Sequence, residues 1–150
     1  MEGILIYMME EFMRVNDIMT RDPHIITPDV TLDEAARAMR DHDCGYLPVG
    51  ENDRLTGALT DRDIVIRAVA EGRALENTKV KDIMTPKIQY CFEDATLEEA
   101  AKLMEKHKIR RLAVLNSDKR LTGILSISDI AVNNKKLAGT IESELIRHAA

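Results

Sequence analysis

Apolar and polar positions follow the same order twice along this chain. Each copy begins with a short apolar run, at residues 25–27 and again at 90–92, which is too short for a helix and predicts a strand. A stretch with apolar residues at i, i+3, i+4 and i+7 follows and predicts an amphipathic helix. Two further apolar runs around a polar turn predict a hairpin, and a second amphipathic stretch closes each copy. The pattern therefore predicts an α+β fold of two repeats, each ordered strand, helix, strand, strand, helix.

The repetition extends to individual residues, which is the signature of an internal duplication. The matched segments are VNDIMT at residues 15–20 with VKDIMT at 80–85, TLDEAA at 31–36 with TLEEAA at 96–101, and residues 57–63 with 123–129. We therefore divide the chain into an N-terminal extension at residues 1–14, a first repeat at 15–72, a linker at 73–79, a second repeat at 80–138 and a C-terminal helix at 139–150.

The predicted helices carry N-terminal capping signals. Thr31 with Glu34, and Thr96 with Glu99, have the spacing of a capping box, in which hydroxyl and carboxylate satisfy the first free backbone N–H groups. A second helix is expected to open at the hydroxyl-bearing residue that follows each hairpin. In the first copy its apolar face is expected to contain Ile64, Val65, Ala68 and Val69, and Gly72 is expected to end it.

Each repeat is marginal in size for independent stability. We therefore expect the two pseudo-symmetric repeats to pack through their sheets as one disc-like module. Apolar residues near both termini, at 4–13 and 141–146, are candidate contact surfaces for a second copy of the chain. Symmetric dimers are the commonest oligomers, which favours a homodimer.

Composition narrows the range of partners. The 150 residues carry a net charge of −5, which argues against a nucleic-acid partner because nucleic-acid binding needs a basic face. The apolar run at residues 4–9 is flanked by acids and is too short to span a bilayer, so we expect no membrane partner. Cys44 and Cys91 form no CxxC pair, which predicts neither a disulfide framework nor a metal site and fits a reducing cytoplasm.

Residues 57–63 and 123–129 carry the candidate chemistry. Both segments read glycine, two apolar residues, a hydroxyl, two further residues and an aspartate. The glycine is expected to remove a side chain where strand and ligand come close. Two interpretations stay open for the hydroxyl and the acid: they cap a helix, or they bind a ligand whose phosphate meets the helix N-terminus. The two roles are compatible, because a cap can exchange its backbone bond for a ligand.

Arginines near these motifs also have two interpretations. Arg110 and Arg111 precede a buried run and either reach a ligand phosphate or form a solvated edge, with Glu105 as a candidate partner. Arg62 and Arg67 have a helical spacing that leaves one of them pointing outward.

Over residues 15–132 the chain resembles CBS domains, on the strength of the repeated D-I-M-T, the T-L-x-E-A-A helix, the L-P-V strand and the G-x-x-[ST]-x-x-D motif. The resemblance implies a tandem CBS pair, or Bateman module, similar to small stand-alone bacterial CBS-pair proteins. It also implies that an adenosyl small molecule binds in clefts between the repeats. The implied ligands are AMP, ADP, ATP, S-adenosylmethionine or NAD, and two sites are implied because both motifs are intact.

The resemblance assigns roles by position. It implies that Asp63 and Asp129 bond ribose hydroxyls and that Thr60 and Ser126 meet a phosphate. It places adenine against Ile25, Ile26 and Tyr46 at one site, and against Tyr90, Cys91 and Arg111 at the other.

Three functions compete for this chain. The first is a non-catalytic regulatory module that senses the adenosyl ligand and passes its output to a separate effector protein. The second is a ligand-independent, dimerising protein-interaction or stress-related scaffold in which the aspartates only cap helices. The third is an enzyme, against which the sequence offers no phosphate-cradling glycine-rich loop, no nucleophile paired with a base and no metal cluster. We therefore expect no enzymatic activity.

Overall fold

The computed structural model describes residues 2–5 and 13–149, which form two compact units. The continuous unit is Pro23–Ile88, and the split unit combines Met1–Asp22 with Gln89–Ala150. These units are offset from the sequence repeats. The segment that opens the first repeat belongs to the split unit, and the segment that opens the second repeat belongs to the continuous unit.

The continuous unit has a three-stranded antiparallel sheet in the order β2-β3-β4. Ile26 adds a single parallel bridge to Val49, so the strand expected at residues 25–27 is reduced to one bridge. The elements of this unit are α3 (Leu32–Asp41), β2 (Tyr46–Glu51), β3 (Arg54–Thr60), α4 (Asp61–Ile64), a π-helical turn (Val65–Val69), α5 (Val80–Ile83) and β4 (Thr85–Pro86).

The split unit has a four-stranded sheet in the order β1-β7-β6-β5. Strand β5 runs parallel to β6, and the other neighbours are antiparallel. Its elements are a helical segment at residues 2–5 (α1), α2 (Val15–Ile18), β1 (Thr20–Arg21), β5 (Tyr90–Phe92), α6 (Leu97–His107), β6 (Arg111–Leu115), β7 (Leu121–Ser126), α7 (Ile127–Asn133) and α8 (Lys135–Ala149). The α+β class and the duplicated arrangement are confirmed.

The two D-I-M-T segments exchange places between the sequence repeats. In the split unit Thr20 of β1 pairs with Ile124 of β7, and in the continuous unit Thr85 of β4 pairs with Ala58 of β3. Backbone hydrogen bonds anchor the helices that precede these strands. In the continuous unit, for example, the N–H of Val80 donates to the carbonyl of Val30 at 2.8 Å. We call residues 15–20 and 80–85 the exchanged segments. Each compact unit therefore needs residues from both sequence repeats.

The exchanged segments explain why the motif glycines are glycines. A Cβ built on Gly57 would lie 2.7 Å from the carbonyl oxygen of Thr85. A Cβ on Gly123 would lie 2.9 Å from the carbonyl oxygen of Thr20. Within each unit it is thus the exchanged segment that comes close to the strand, where the sequence led us to expect a ligand.

Each unit buries its own apolar core. Equivalent leucines from the first helix and both hairpin strands are fully buried: Leu32, Leu47 and Leu59 in the continuous unit, and Leu97, Leu112 and Leu125 in the split unit. Burial of each such side chain contributes about 1.5–3 kcal/mol to folding. The exchanged segments add Val80 and Ile83 to one core, and Val15 and Met19 to the other.

The apolar face predicted for the second helix is only half correct. Ile64 and Ala68 are buried, but Val65 and Val69 are 54% and 55% exposed. Each exposed valine follows a buried residue by one position, and this rotation around the helix axis turns it away from the core. The chain leaves this helix at Gly72, which has a positive φ of 71° as expected for a helix end.

Two expectations about termini and caps are also corrected. Thr31 forms no capping bond with the backbone, because its hydroxyl donates instead to the carboxylate of Asp33. Ile141, expected at a subunit contact, is fully buried in the core of the split unit, whereas Ile4 and Ile146 are exposed. Residues 6–12 of the expected N-terminal contact surface lie outside the described residues. Among the helices described, none is both long and apolar enough to cross a bilayer.

We expect Gly57→Ala to destabilise the protein by about 1–3 kcal/mol, because the added methyl forces the exchanged segment away from β3. Gly139→Ala is the matched control, since a Cβ there meets nothing within 4 Å and α8 gains a better helix former. This control is expected to stabilise by about 0.5–1 kcal/mol. Urea unfolding of both variants measures the difference, and equal stabilities would refute the steric account.

Candidate functional site

The first motif site consists of Thr60, at the end of β3, and Asp63, in the first turn of α4. The hydroxyl oxygen of Thr60 accepts a hydrogen bond of 3.1 Å from the backbone N–H of Asp63. The carboxylate Oδ2 of Asp63 accepts one of 2.9 Å from the backbone N–H of Thr60. The two residues therefore form the predicted capping box.

The second motif site, Ser126 with Asp129, repeats this geometry at the start of α7. Its hydroxyl accepts from the backbone N–H of Asp129 at 3.1 Å, and its carboxylate accepts from the backbone N–H of Ser126 at 2.9 Å. Because the same distances recur, both copies hold their hydroxyl and acid in one arrangement. The capping interpretation is thus correct for both motifs.

Capping leaves chemical capacity unused at both sites. A hydroxyl that accepts one N–H bond still has its own proton to donate, and a carboxylate has a second oxygen and further lone pairs. The side chain of Asp63 is 15% exposed, so part of it is open to solvent. Each motif site can therefore present one donor and one anionic acceptor to a ligand while the helix stays capped.

The hairpin register brings one more candidate residue to each motif site. Tyr46 lies directly opposite Thr60 on β2, and Arg111 lies directly opposite Ser126 on β6. The two positions are equivalent in the repeats, but one carries an aromatic ring and the other a cation. The sites are therefore alike in their capping boxes and different beside them.

The remaining candidate residues divide between core and surface. Ile26 and Cys91 are only 6% and 4% exposed and belong to the hydrophobic cores, while Ile25 is half-buried. Tyr90 is 39% exposed, because neighbouring residues of a strand point to opposite faces of the sheet. Burial raises the pKa of the Cys91 thiol to about 12. Ligand contacts from these positions stay predictions.

Arg67, which the sequence left open as a ligand contact or a solvated side chain, contacts both the first motif site and the exchanged segment. Its Nη1 donates to the carbonyl of Ile83 at 2.9 Å and lies 3.4 Å from the hydroxyl of Thr85. Its Nε lies 3.8 Å from Oδ1 of Asp63. The four-residue spacing from Asp63 was the available signal. The contacts of Arg67 with the exchanged segment join residues 16 and 18 positions apart, so no local sequence pattern predicts them.

Arg110 and Arg111 agree in part with the interpretation that they form a solvated edge. Arg110 forms an ion pair of 2.8 Å with Glu142 of α8, not with Glu105. Arg111 is exposed and starts β6 opposite the second motif site.

Among the described residues, the histidine, cysteine and acidic side chains do not cluster into a metal site. His24 and His42 stack with their ring centroids 4.1 Å apart, and Nδ1 of His42 lies 2.9 Å from the carbonyl oxygen of Ala38. Within residues 2–5 and 13–149, histidine, cysteine, aspartate and glutamate side chains form no group of three or more that could hold a metal ion.

Comparison with known proteins gives a consistent match. The family model of the CBS domain matches residues 15–69 and 80–141. CBS domain-containing protein YhcV of Bacillus subtilis is 40% identical over 119 residues, which is 79% of this chain and 84% of YhcV. The crystal structure of Hypoxic Response Protein I with two coordinated zinc ions is 38% identical, with a TM-score of 0.73 over 80% of this chain and 98% of that one.

A further structural match contains ligands. The CBS domain pair of protein MJ0100, in complex with 5′-methylthioadenosine and S-adenosyl-L-methionine, is 28% identical to this chain. The TM-score is 0.71, and the match covers 81% of this chain and 94% of that one.

Thiol labelling tests the burial of Cys91. A pKa of about 12 leaves about one thiol in ten thousand ionised at pH 8, and the thiolate is the reactive form. We expect a disulfide reagent such as DTNB to label half-buried Cys44 of the native chain within minutes and Cys91 only after denaturation. Cys44→Ser should abolish the rapid phase. Rapid labelling that persists in this variant would place Cys91 at the surface.

Proposed function

The chain belongs to the CBS domain family, and from that premise we propose that it is a non-catalytic regulatory module that senses an adenine nucleotide or another adenosyl ligand at its two motif sites. The observation that carries this proposal is the capping box formed twice with one geometry. Each box holds a hydroxyl donor and a carboxylate acceptor in place before any ligand arrives. Such preorganisation lowers the entropy lost on binding.

The proposed binding mode assigns each motif residue a task. Asp63 and Asp129 accept hydrogen bonds from the two ribose hydroxyls, and bonds to a charged group of this kind are worth about 1.5–3 kcal/mol each. Thr60 and Ser126 donate their free hydroxyl protons to a phosphate or to the 5′ substituent. The complex of the MJ0100 pair with two adenosyl compounds supports this ligand class.

Neighbouring residues shape the proposed sites. Tyr46 and half-buried Ile25 are proposed to contact adenine beside the first motif site, and exposed Tyr90 beside the second. Arg111, opposite Ser126, is proposed to favour an anionic ligand there. The ligand candidates are AMP, ADP, ATP, S-adenosylmethionine and NAD.

We propose a signalling output in place of catalysis. The hydroxyl of each motif site bonds to a backbone N–H, where an activated nucleophile would need a basic side chain. Occupancy of the sites is proposed to change how the module contacts a separate effector protein.

A second candidate function is ligand-independent dimerisation. Val65, Ile66 and Val69 of the continuous unit expose 54%, 49% and 55% of their surface on adjoining turns. Contiguous exposed apolar side chains of this kind mark interaction surfaces. In this alternative the surface binds a second copy of the chain and the aspartates only cap helices.

The ligand proposal predicts a thermal shift. A ligand at a hundred times its Kd stabilises the folded state by about 2.7 kcal/mol, which raises the Tm of a chain this size by about 5–10 °C. We expect such a shift with at least one of the five candidate ligands at millimolar concentration. The double variant with Asp63→Asn and Asp129→Asn should lose the shift, because asparagine lacks the negative charge that accepts the ribose hydroxyls. Its amide oxygen can still accept the backbone N–H, so the helix cap is retained.

The control for this experiment is Glu99→Gln, which alters an equivalent capping box outside both motif sites. It should retain the full shift. An unchanged Tm with every candidate ligand would overturn the sensor proposal.

The dimer alternative predicts a different result. Ile66→Asp should convert a dimer to monomer in analytical ultracentrifugation with little change in Tm, because the side chain is half exposed in the single chain. Ile146→Asp, 66% exposed on α8, is the comparison variant. A dimer that survives Ile66→Asp but not Ile146→Asp would move the contact surface to α8.

A further inference from the structure

We propose that Arg67 is a positioning residue that links the first motif site to the exchanged segment at residues 80–85, and that the second motif site lacks this link. This inference rests on the proposed ligand function, and it makes the two motif sites unequal. Ligand at the first site is then sensed by the exchanged segment, whereas ligand at the second site is bound without that response.

The link runs through one planar guanidinium group. Nε of Arg67 faces Oδ1 of Asp63 at 3.8 Å, while Nη1 donates to the carbonyl of Ile83 at 2.9 Å and lies 3.4 Å from the hydroxyl of Thr85. Because the N–H groups of a guanidinium lie in a rigid fork, its contacts on the two sides cannot move independently. A change at Asp63 is therefore felt at the exchanged segment.

Arg67 also completes the orientation of the acid. Oδ2 of Asp63 is held by the backbone N–H of Thr60, and Oδ1 faces Arg67. Oδ2 is thus held by a hydrogen bond, and Oδ1 lies within ion-pair distance of the guanidinium before ligand binds. A ribose diol that bonds this carboxylate in turn restricts Asp63, and a restricted Asp63 keeps the guanidinium in the position from which it bonds Ile83.

The exchanged segment can respond to a change at Asp63, since only a short strand pairs it with β3. Only Thr85 and Pro86 pair with β3, opposite Ala58 and Gly57. The bond from Arg67 to the carbonyl of Ile83 lies immediately before that strand. Backbone bonds and the burial of Val80 and Ile83 hold the start of the exchanged segment, and the bond from Arg67 adds an anchor at the point where this start gives way to the short strand.

The second motif site differs at the matching position. Asn133 stands four residues after Asp129, as Arg67 stands four residues after Asp63. Its side-chain amide donates to the backbone carbonyl of Asp129 at 2.9 Å, a bond that stays within α7. A neutral amide used in this way cannot pair with the acid as a guanidinium does.

The test measures hydrogen–deuterium exchange by mass spectrometry on the full chain, with and without AMP and, separately, S-adenosylmethionine. In the wild-type chain we expect ligand to slow exchange in peptides that cover residues 83–85 as well as in those that cover 126–129. In Arg67→Asn, which copies the residue of the other repeat, the slowing at 83–85 should disappear and that at 126–129 should remain.

Titration calorimetry on the same variants gives the affinity of the first site. Arg67→Asn should weaken it by about fivefold or more, the low end of typical coupling between linked sites. Arg67→Lys keeps the charge and should recover part of the affinity without full protection of residues 83–85. Arg67→Lys also replaces Arg67→Asn in the test if the asparagine variant folds poorly. Asn133→Arg is the matched control at the second site and is expected to leave the affinity of the first site unchanged.

The outcomes separate the two proposals. Absence of binding by the wild-type chain overturns the proposed function, and this inference with it. Binding that depends on Asp63, with equal protection of residues 83–85 in wild type and Arg67→Asn, overturns the inference alone. A lower Tm in Arg67→Asn with unchanged affinity and unchanged protection assigns Arg67 a structural role only and likewise overturns it.

Discussion

The close approach of each exchanged segment to a central strand is the constraint on which the rest of the structure depends. Strands β3 and β7 would otherwise present unpaired backbone edges, and each core would lack two of its apolar side chains. The approach is possible only where the strand carries no Cβ, at Gly57 and Gly123. The glycine of each motif is therefore required by the packing of the exchanged segment. The same strands then end at Thr60 and Ser126, so the packing that fixes the strand also fixes the hydroxyl.

Capping leaves the hydroxyl and the acid of each motif available for the ligand recognition that we propose. The hydroxyl of each motif accepts from the backbone and keeps its proton, and the acid accepts from the backbone with one oxygen only. In the proposed function, a site built in this way needs no reorganisation before it binds ligand. It also explains why the two interpretations of the motif could not be separated from sequence, since both require a hydroxyl and an acid three residues apart.

Duplication with local divergence is the other theme of the molecule. The capping boxes keep their distances, whereas the residues beside them change: Tyr46 matches Arg111, and Arg67 matches Asn133. The parallel strand at residues 90–92 is likewise a single bridge at Ile26 in the other copy. Divergence confined to the neighbours of a constant capping box gives one fold two motif sites with different charged groups beside them.

The sequence by itself determined the α+β repeats and three of the four predicted capping boxes, including both hydroxyl–acid pairs, because these follow from local periodicity and from bonds between residues three apart. Only the tertiary structure decided that the D-I-M-T segments exchange units, that Val65 and Val69 face solvent, and that Thr31 bonds Asp33. The partners of Arg67 and Arg110 were also decided by the tertiary structure, since both arginines contact segments that are distant along the chain. Pairing between remote strands and the direction of a long side chain depend on which surfaces meet in space, and no local pattern of residues records that.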